Sequence, residues 1–241
     1  MNEKETQNID NIFPNLPDEI KELNRLLLDV KWDNLDFDSS YFQEGIYPDN
    51  QILNTDQIRL IQAILDNIPE WNRIIACKQH YTHDYCLDIH TLSVLKKIRG
   101  FNRFNTLDDY KKLILLYSAL LHDIEKYENE VDPEHPNRGA KKASSILFRL
   151  GFDEKFINSV YLLINHHQVL GLLAAGRISF SPEQLIEIFK DAELLDLQII
   201  LSIADIKSVK KNESFMGKGM EEKLEQIIQN IKEVINTKEI K

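Results

Sequence analysis

From Asp18 onward, Ile20, Leu23, Leu26, Leu27 and Val30 recur at the i, i+3, i+4, i+7 spacing that lines apolar side chains along one helix face. This predicts an amphipathic helix ending near Trp32. Thr55 offers a second start, as an N-cap followed at helical spacing by Ile58, Ile61, Ile64 and Leu65, with Pro69 as the stop. A further helix begins near Trp71. Beyond it the periodicity predicts helices near residues 88–99, 107–127, 137–150, 154–169, 182–190, 192–211 and 219–236. Thr106 caps the second of these, ahead of acidic residues that suit the positive end of a helix. Ser181 before Pro182 marks another start, and Gly151 ends the helix holding Ile146, Leu147 and Leu150.

Other stretches lack a helical period. Residues 1–17 are polar, contain Pro14 and Pro17, and read as a flexible lead-in. Residues 33–54 mix Asp, Asn, Ser, Gly45 and Pro48 with scattered aromatics, as a long loop or tethered arm would. No segment alternates as a strand does, and no repeat recurs at a fixed period. The expectation is an all-α helical bundle: an N-terminal helical and loop extension over 1–70 and the main domain over 71–241. In the last helix Leu224, Ile227, Ile228, Ile231 and Val234 form an apolar stripe expected to pack on its own domain, with a second subunit as the alternative.

Composition narrows the function. A formal net charge of −10 over 241 residues disfavours general nucleic-acid binding, because the surface as a whole repels phosphate backbones. The two cysteines, Cys77 and Cys86, lack metal-site spacing and read as reduced thiols of a cytoplasmic protein. The N-terminus lacks the apolar run of a secretory signal, and no segment reaches the ~18 apolar residues of a membrane span. A cytoplasmic protein without a membrane partner is expected.

The chemistry is carried by polar residues set in apolar runs. His90 opens HTLSVLKKI, His122 and Asp123 lie in LLYSALLHDIEK, and Asp205 lies in ILSIADIKSV. Burying such groups alone costs several kcal/mol, so they must meet each other, a metal, or both. Imidazole nitrogen beside carboxylate oxygen suits a divalent ion such as manganese, iron, cobalt or zinc. Lys126, four residues after His122 and three after Asp123, shares their helix face and can hold a phosphate oxygen or protonate a leaving group.

These motifs resemble those of the HD superfamily of metal-dependent phosphohydrolases, named for its His-Asp doublet. More narrowly, residues 71–211 are similar to the HD domain of the bifunctional PII-protein uridylyltransferase/uridylyl-removing enzymes. The likeness runs through HDYCLDIHTLSVL, LLHDIEK, HPNRGAKKASSILFRLGF, LINHHQVLGLLAAGRISFSPEQL and LQIILSIADIKSV. It implies an all-helical fold and a metal held by His90, His122, Asp123 and Asp205, with magnesium added to the candidate ions. Where such proteins hold two ions, it implies further ligation by His135, His166 and His167. Lys126 and Arg177 would steady phosphate charge, Asp123 would bridge the ions, and His135 or His167 would assist the departing oxygen. His83, Tyr85 and Asp88 match the lead-in to the first ligand, Asp88 as an orienting partner; His80 reads as a surface residue.

In that family the domain hydrolyses a nucleotidyl phosphodiester from a tyrosine of a signal protein. The chain has no room for the family's accompanying domains and is expected to be a stand-alone hydrolase. Glu125 stands where glycine is usual. The expected substrate is phosphorylated or nucleotidylated, either a modified protein or a small molecule such as a nucleotide or cyclic nucleotide. A non-catalytic binding module of the same fold is the remaining alternative.

Overall fold

The computed structural model describes residues 9–37, 45–46, 53–80, 85–128, 132–189, 192–209, 222–223, 226–231 and 233–234. Among them every regular element is helical, in agreement with the absence of strand alternation in the sequence. Helices α1 (Ile9–Ile12), α2 (Asp18–Asp29) and α3 (Thr55–Asn67) lead, through a 3-10 turn over Pro69–Arg73, to α4 (Leu87–Gly100). Then follow α5 (Asn102–Thr106), α6 (Asp109–Leu121), α7 (His135–Leu150) and α8 (Glu154–Asn165). The shorter α9 (Val169–Ala174) and α10 (Pro182–Phe189) precede α11 (Ala192–Lys207).

One apolar core joins most of these. α6 is buried along nearly its whole length from Leu113 to Leu121, so it forms the axis around which α2, α4, α7, α8 and α11 pack. Leu23 and Leu27 of α2 and Ile61 and Ile64 of α3 belong to this same core. Each fully buried side chain of this size contributes ~1.5–3 kcal/mol. Polar ties fix the register: Tyr117 of α6 donates to Asn24 of α2 at 2.9 Å, and Trp71 Nε1 donates to the Leu120 carbonyl at 3.2 Å. A smaller core joins α9, α10 and α11, with Leu170, Phe189 and Leu195 at its centre. Ile227, Ile228 and Ile231 pack there, as expected for the terminal stripe; Leu224 lies outside the described residues.

Several boundaries differ from the sequence reading, each for a local reason. Residues 9–16, read as lead-in, are seated: Phe13 packs its ring against Phe152, Phe156 and Tyr110. Asn54 rather than Thr55 caps α3, through a reciprocal pair of bonds with Gln57. Asp108 rather than Thr106 caps α6, while Thr106 closes α5 by bonding the Arg103 carbonyl. The long helix foreseen to residue 127 ends at Leu121, and α7 begins two residues early, at His135. The helix foreseen to residue 169 ends at Asn165, and α9 follows a turn. Ser181 does cap α10 with Gln184, and Gly151 adopts φ +91° after α7.

Asp88 occupies a knot at the start of α4. It is fully buried and accepts from the Ile46 N–H at 2.6 Å. Burial pushes its carboxyl up, against several backbone N–H groups that hold it down, those of Ile46, Ile89 and Ala76 among them. Gly45 has φ +95°, and a Cβ there would lie 2.7 Å from the Ala76 nitrogen and 2.8 Å from Asp88 Oδ2. The Asp88 carboxylate therefore binds the 45–46 segment to α4.

Candidate metal centre

The end of α6, the starts of α4 and α7, the turn after α8 and the last turn of α11 meet at one point. Two groups of acceptor atoms converge there: His90, His122 and Asp205 in one, Asp123, His135 and His167 in the other. In the first, His90 Nε2 lies 2.9 Å from Asp205 Oδ1 and 3.3 Å from His122 Nε2. In the second, His135 Nε2 lies 3.0 Å from Asp123 Oδ1 and 3.4 Å from His167 Nε2. Asp123 faces both. Its Oδ1 points at the second group, and its Oδ2 lies 3.5 Å from His122 Nε2 and 3.9 Å from His90 Nε2.

Three of the histidines are oriented by one repeated device. His122, His135 and His167 each turn Nδ1 onto the backbone carbonyl three residues earlier, that of Ala119, Asp132 and Ile164. A carbonyl can only accept, so Nδ1 carries the hydrogen and Nε2 is left as a lone pair. The outer bond thereby selects the tautomer that a metal needs.

Lone pairs facing carboxylate oxygens repel unless a cation lies between them. Asp123 Oδ1 is buried without a hydrogen-bond donor, although His135 Nε2 is close by. The electrostatics agree. Burial pushes the rings of His122 and His167 down, His167 to about 4, which favours the neutral form that can ligate a metal. Burial also favours protonated carboxyls. Lys126 nevertheless holds Asp123 well below the usual range, and the His90 hydrogen bond holds Asp205 down as well. For His135, burial is outweighed by Asp123, which draws positive charge toward that position. The donor set of imidazole nitrogen and carboxylate oxygen fits one or two divalent ions.

Residues 87–209 match the family model described as the HD domain. This chain belongs to the HD domain family. As an HD protein it is a metal-dependent hydrolase, of the phosphohydrolase type. It is similar to bifunctional uridylyltransferase/uridylyl-removing enzymes from several bacteria. That of Vibrio cholerae serotype O1 is 27% identical over 165 residues, covering 62% of this chain and 18% of that protein. That of Aliivibrio fischeri is 26% identical over 204 residues, 77% and 22% of the two chains, and that of Bordetella avium 27% over 172 residues, 64% and 20%. The chain thus spans about a fifth of the length of these relatives.

Within this HD domain the remaining candidates separate. Lys126 Nζ lies 2.9 Å from Asp123 Oδ2 and 2.8 Å from Gln79 Oε1. Gln79 in turn donates to the Tyr85 carbonyl, so Tyr85 acts through its main chain. His166 joins neither group: its ring meets Phe189 edge-on, and its Nε2 faces Asn165. Adjacent residues at a helix end diverge by about 100°, and here only His167 turns inward. Arg177 is exposed on the turn after α9 and takes part in none of the cluster's hydrogen bonds or ion pairs. His80 is half-buried, and His83 lies outside the described residues. Glu125 pairs with Arg73 at 2.9 Å, on the outer side of the turn that carries Asp123.

Some supporting residues escaped the sequence reading. Ser202 of α11 donates to the His167 carbonyl at 3.0 Å and accepts from Gln198 Nε2 at 3.0 Å, both residues being fully buried. These polar positions in an apolar helix carry the same signal that exposed Asp205. Gln79 had none, since its role follows from a loop that only the tertiary fold brings to Lys126.

Proposed function

We propose that the protein is a phosphodiesterase of the nucleotidyl-removing kind, acting in the cytoplasm on a nucleotidylated protein. His90, His122, Asp123 and Asp205, with His135 and His167, are the proposed metal ligands. Residues 71–241 are the proposed catalytic unit, with 1–70 as an extension whose described residues pack on it. The reading rests on one observation above others: the two oxygens of Asp123 face separate histidine groups, an arrangement that would suit a carboxylate shared by two ions. The uridylyl-removing relatives supply the substrate class.

Bound divalent ions would polarise a phosphoryl oxygen and lower the pKa of a coordinated water, the chemistry that phosphodiester hydrolysis requires. The chain's own residues prepare this. The carbonyls of Ala119, Asp132 and Ile164 keep three imidazoles in the ligating tautomer. Lys126, held by Gln79 beside Asp123, supports negative charge on the transferring phosphoryl group. The Asp205 side chain is 20% exposed while the other members of the two groups are nearly sealed, so substrate approaches over Asp205. His135 turns Nε2 onto Asp123, which favours ligation over donation to a leaving group. Among the described residues no helix is long and apolar enough to cross a membrane, and Cys77 and Cys86 form no disulfide.

The test pairs elemental analysis of purified protein with hydrolysis of the p-nitrophenyl ester of uridine 5′-monophosphate under added manganese. Wild type is expected to bind transition metal and release p-nitrophenol, and Asp123→Ala to lose both metal and turnover while keeping its helical circular dichroism. Metal-loaded wild type that cleaves neither this diester nor bis(p-nitrophenyl) phosphate would sink the proposal.

A further inference from the structure

Beside the centre stands an aromatic side chain that the core does not require. Tyr127 follows Lys126 directly and is 46% exposed. Its ring is nonetheless held: the Arg138 guanidinium lies over it, 4.5 Å from the centroid. Arg138 is fixed in turn by an ion pair with Asp132 and by a bond from Nη2 to the Glu125 carbonyl at 3.2 Å.

The same Asp132 uses its backbone carbonyl to accept from His135 Nδ1. One residue thus orients a histidine of the metal centre through its main chain and the partner of the tyrosine through its side chain. Arg138 is three residues after His135 on α7, hence one turn away on the same face. On the other side, the chain passes from Tyr127 to Lys126, whose ammonium is 2.9 Å from Asp123. The ring is thus linked on both sides to residues of the proposed centre, and with Arg138 over it Tyr127 remains 46% exposed.

We propose that Tyr127 and Arg138 form a stacking platform for the nucleobase of a nucleotidyl phosphodiester, a subsite that rests on the phosphodiesterase reading above. The base is the planar part of a nucleotidyl group, and its π-face suits an exposed ring backed by a guanidinium. A platform of this kind tolerates different bases, since every base has a π-face.

The experiment compares two p-nitrophenyl esters, that of uridine 5′-monophosphate and that of base-free ribose 5-phosphate, on the manganese-loaded full chain. Wild type should prefer the uridine ester in kcat/KM. Tyr127→Ala should cut that preference about 10-fold, the scale of one base stacked on an aromatic ring, and Tyr127→Phe should keep it. Equal kcat/KM for the two esters in wild type, or a preference untouched by Tyr127→Ala, would overturn the platform and leave the phosphodiesterase reading standing. Wild type that cleaves neither ester would overturn both.

Discussion

The two halves of the centre are built differently. His90, His122 and Asp205 sit on backbone that is helical, in the first turn of α4, directly after α6 and in the last turn of α11. These helices are packed along their length, so the ligands inherit their positions from the core. The other half uses the first residue of α7, a turn residue between α8 and α9, and Asp123 in the turn after α6. Its positions depend on individual hydrogen bonds: Asp132 for His135, and Ile164 with Ser202 for His167. A site placed by packing yields only with the core, whereas one placed by a few bonds can be loosened separately.

Replacing a ligand should give the largest effects. His90→Ala and His135→Ala are each expected to lower diester hydrolysis more than about 100-fold, because loss of even an outer partner of a ligand costs roughly 10- to 100-fold. Their metal contents should differ in kinetics. Wild type challenged with a chromophoric chelator should release its ions in two steps, the faster one missing from His135→Ala. A single step in wild type would remove the distinction between the halves.

A smaller and more selective effect is expected from Ser202→Ala. It leaves the His167 carbonyl and Gln198 without their buried partner, at a cost of about 1–3 kcal/mol in denaturant unfolding. The fast-released ion should weaken by roughly 10-fold while the slow one is unchanged. Equal weakening of both would mean that α11 acts on the centre as a whole. The smallest effect belongs to the outer side of the Asp123 turn. Arg73 is 55% exposed where it pairs with Glu125, so Arg73→Ala should change stability by less than about 1 kcal/mol and leave metal content alone.

The contrast also explains what could be read from the chain. His90, His122 and Asp205 stand out because each interrupts an apolar run, and a helix buried on most faces tolerates a polar residue only with a partner. His135 lies in DPEHPNRG, a polar stretch where a histidine draws no notice without a family resemblance. For the His166–His167 pair, periodicity could not tell which ring turns inward, since the choice is made by the turn that ends α8. The all-helical fold followed from periodicity, but the seating of residues 9–16 did not. Phe13 and Leu16 show no sustained period, and Phe13 is buried against aromatic partners more than ninety residues away.

The knot at Asp88 bears on how the molecule can be cut. The matched family region begins at residue 87, yet Ile46 holds the carboxylate one residue further on, and Gly45 fits there because it has no side chain. A fragment begun at residue 71 would keep every histidine of the centre but bury a carboxylate stripped of that donor, beside apolar surface vacated by α2 and α3. Excision should therefore yield an aggregating fragment rather than a smaller hydrolase, and in native-state hydrogen exchange the amides of α2 and α4 should open together. Residues 9–37 and α4 should therefore behave as a single cooperative unit.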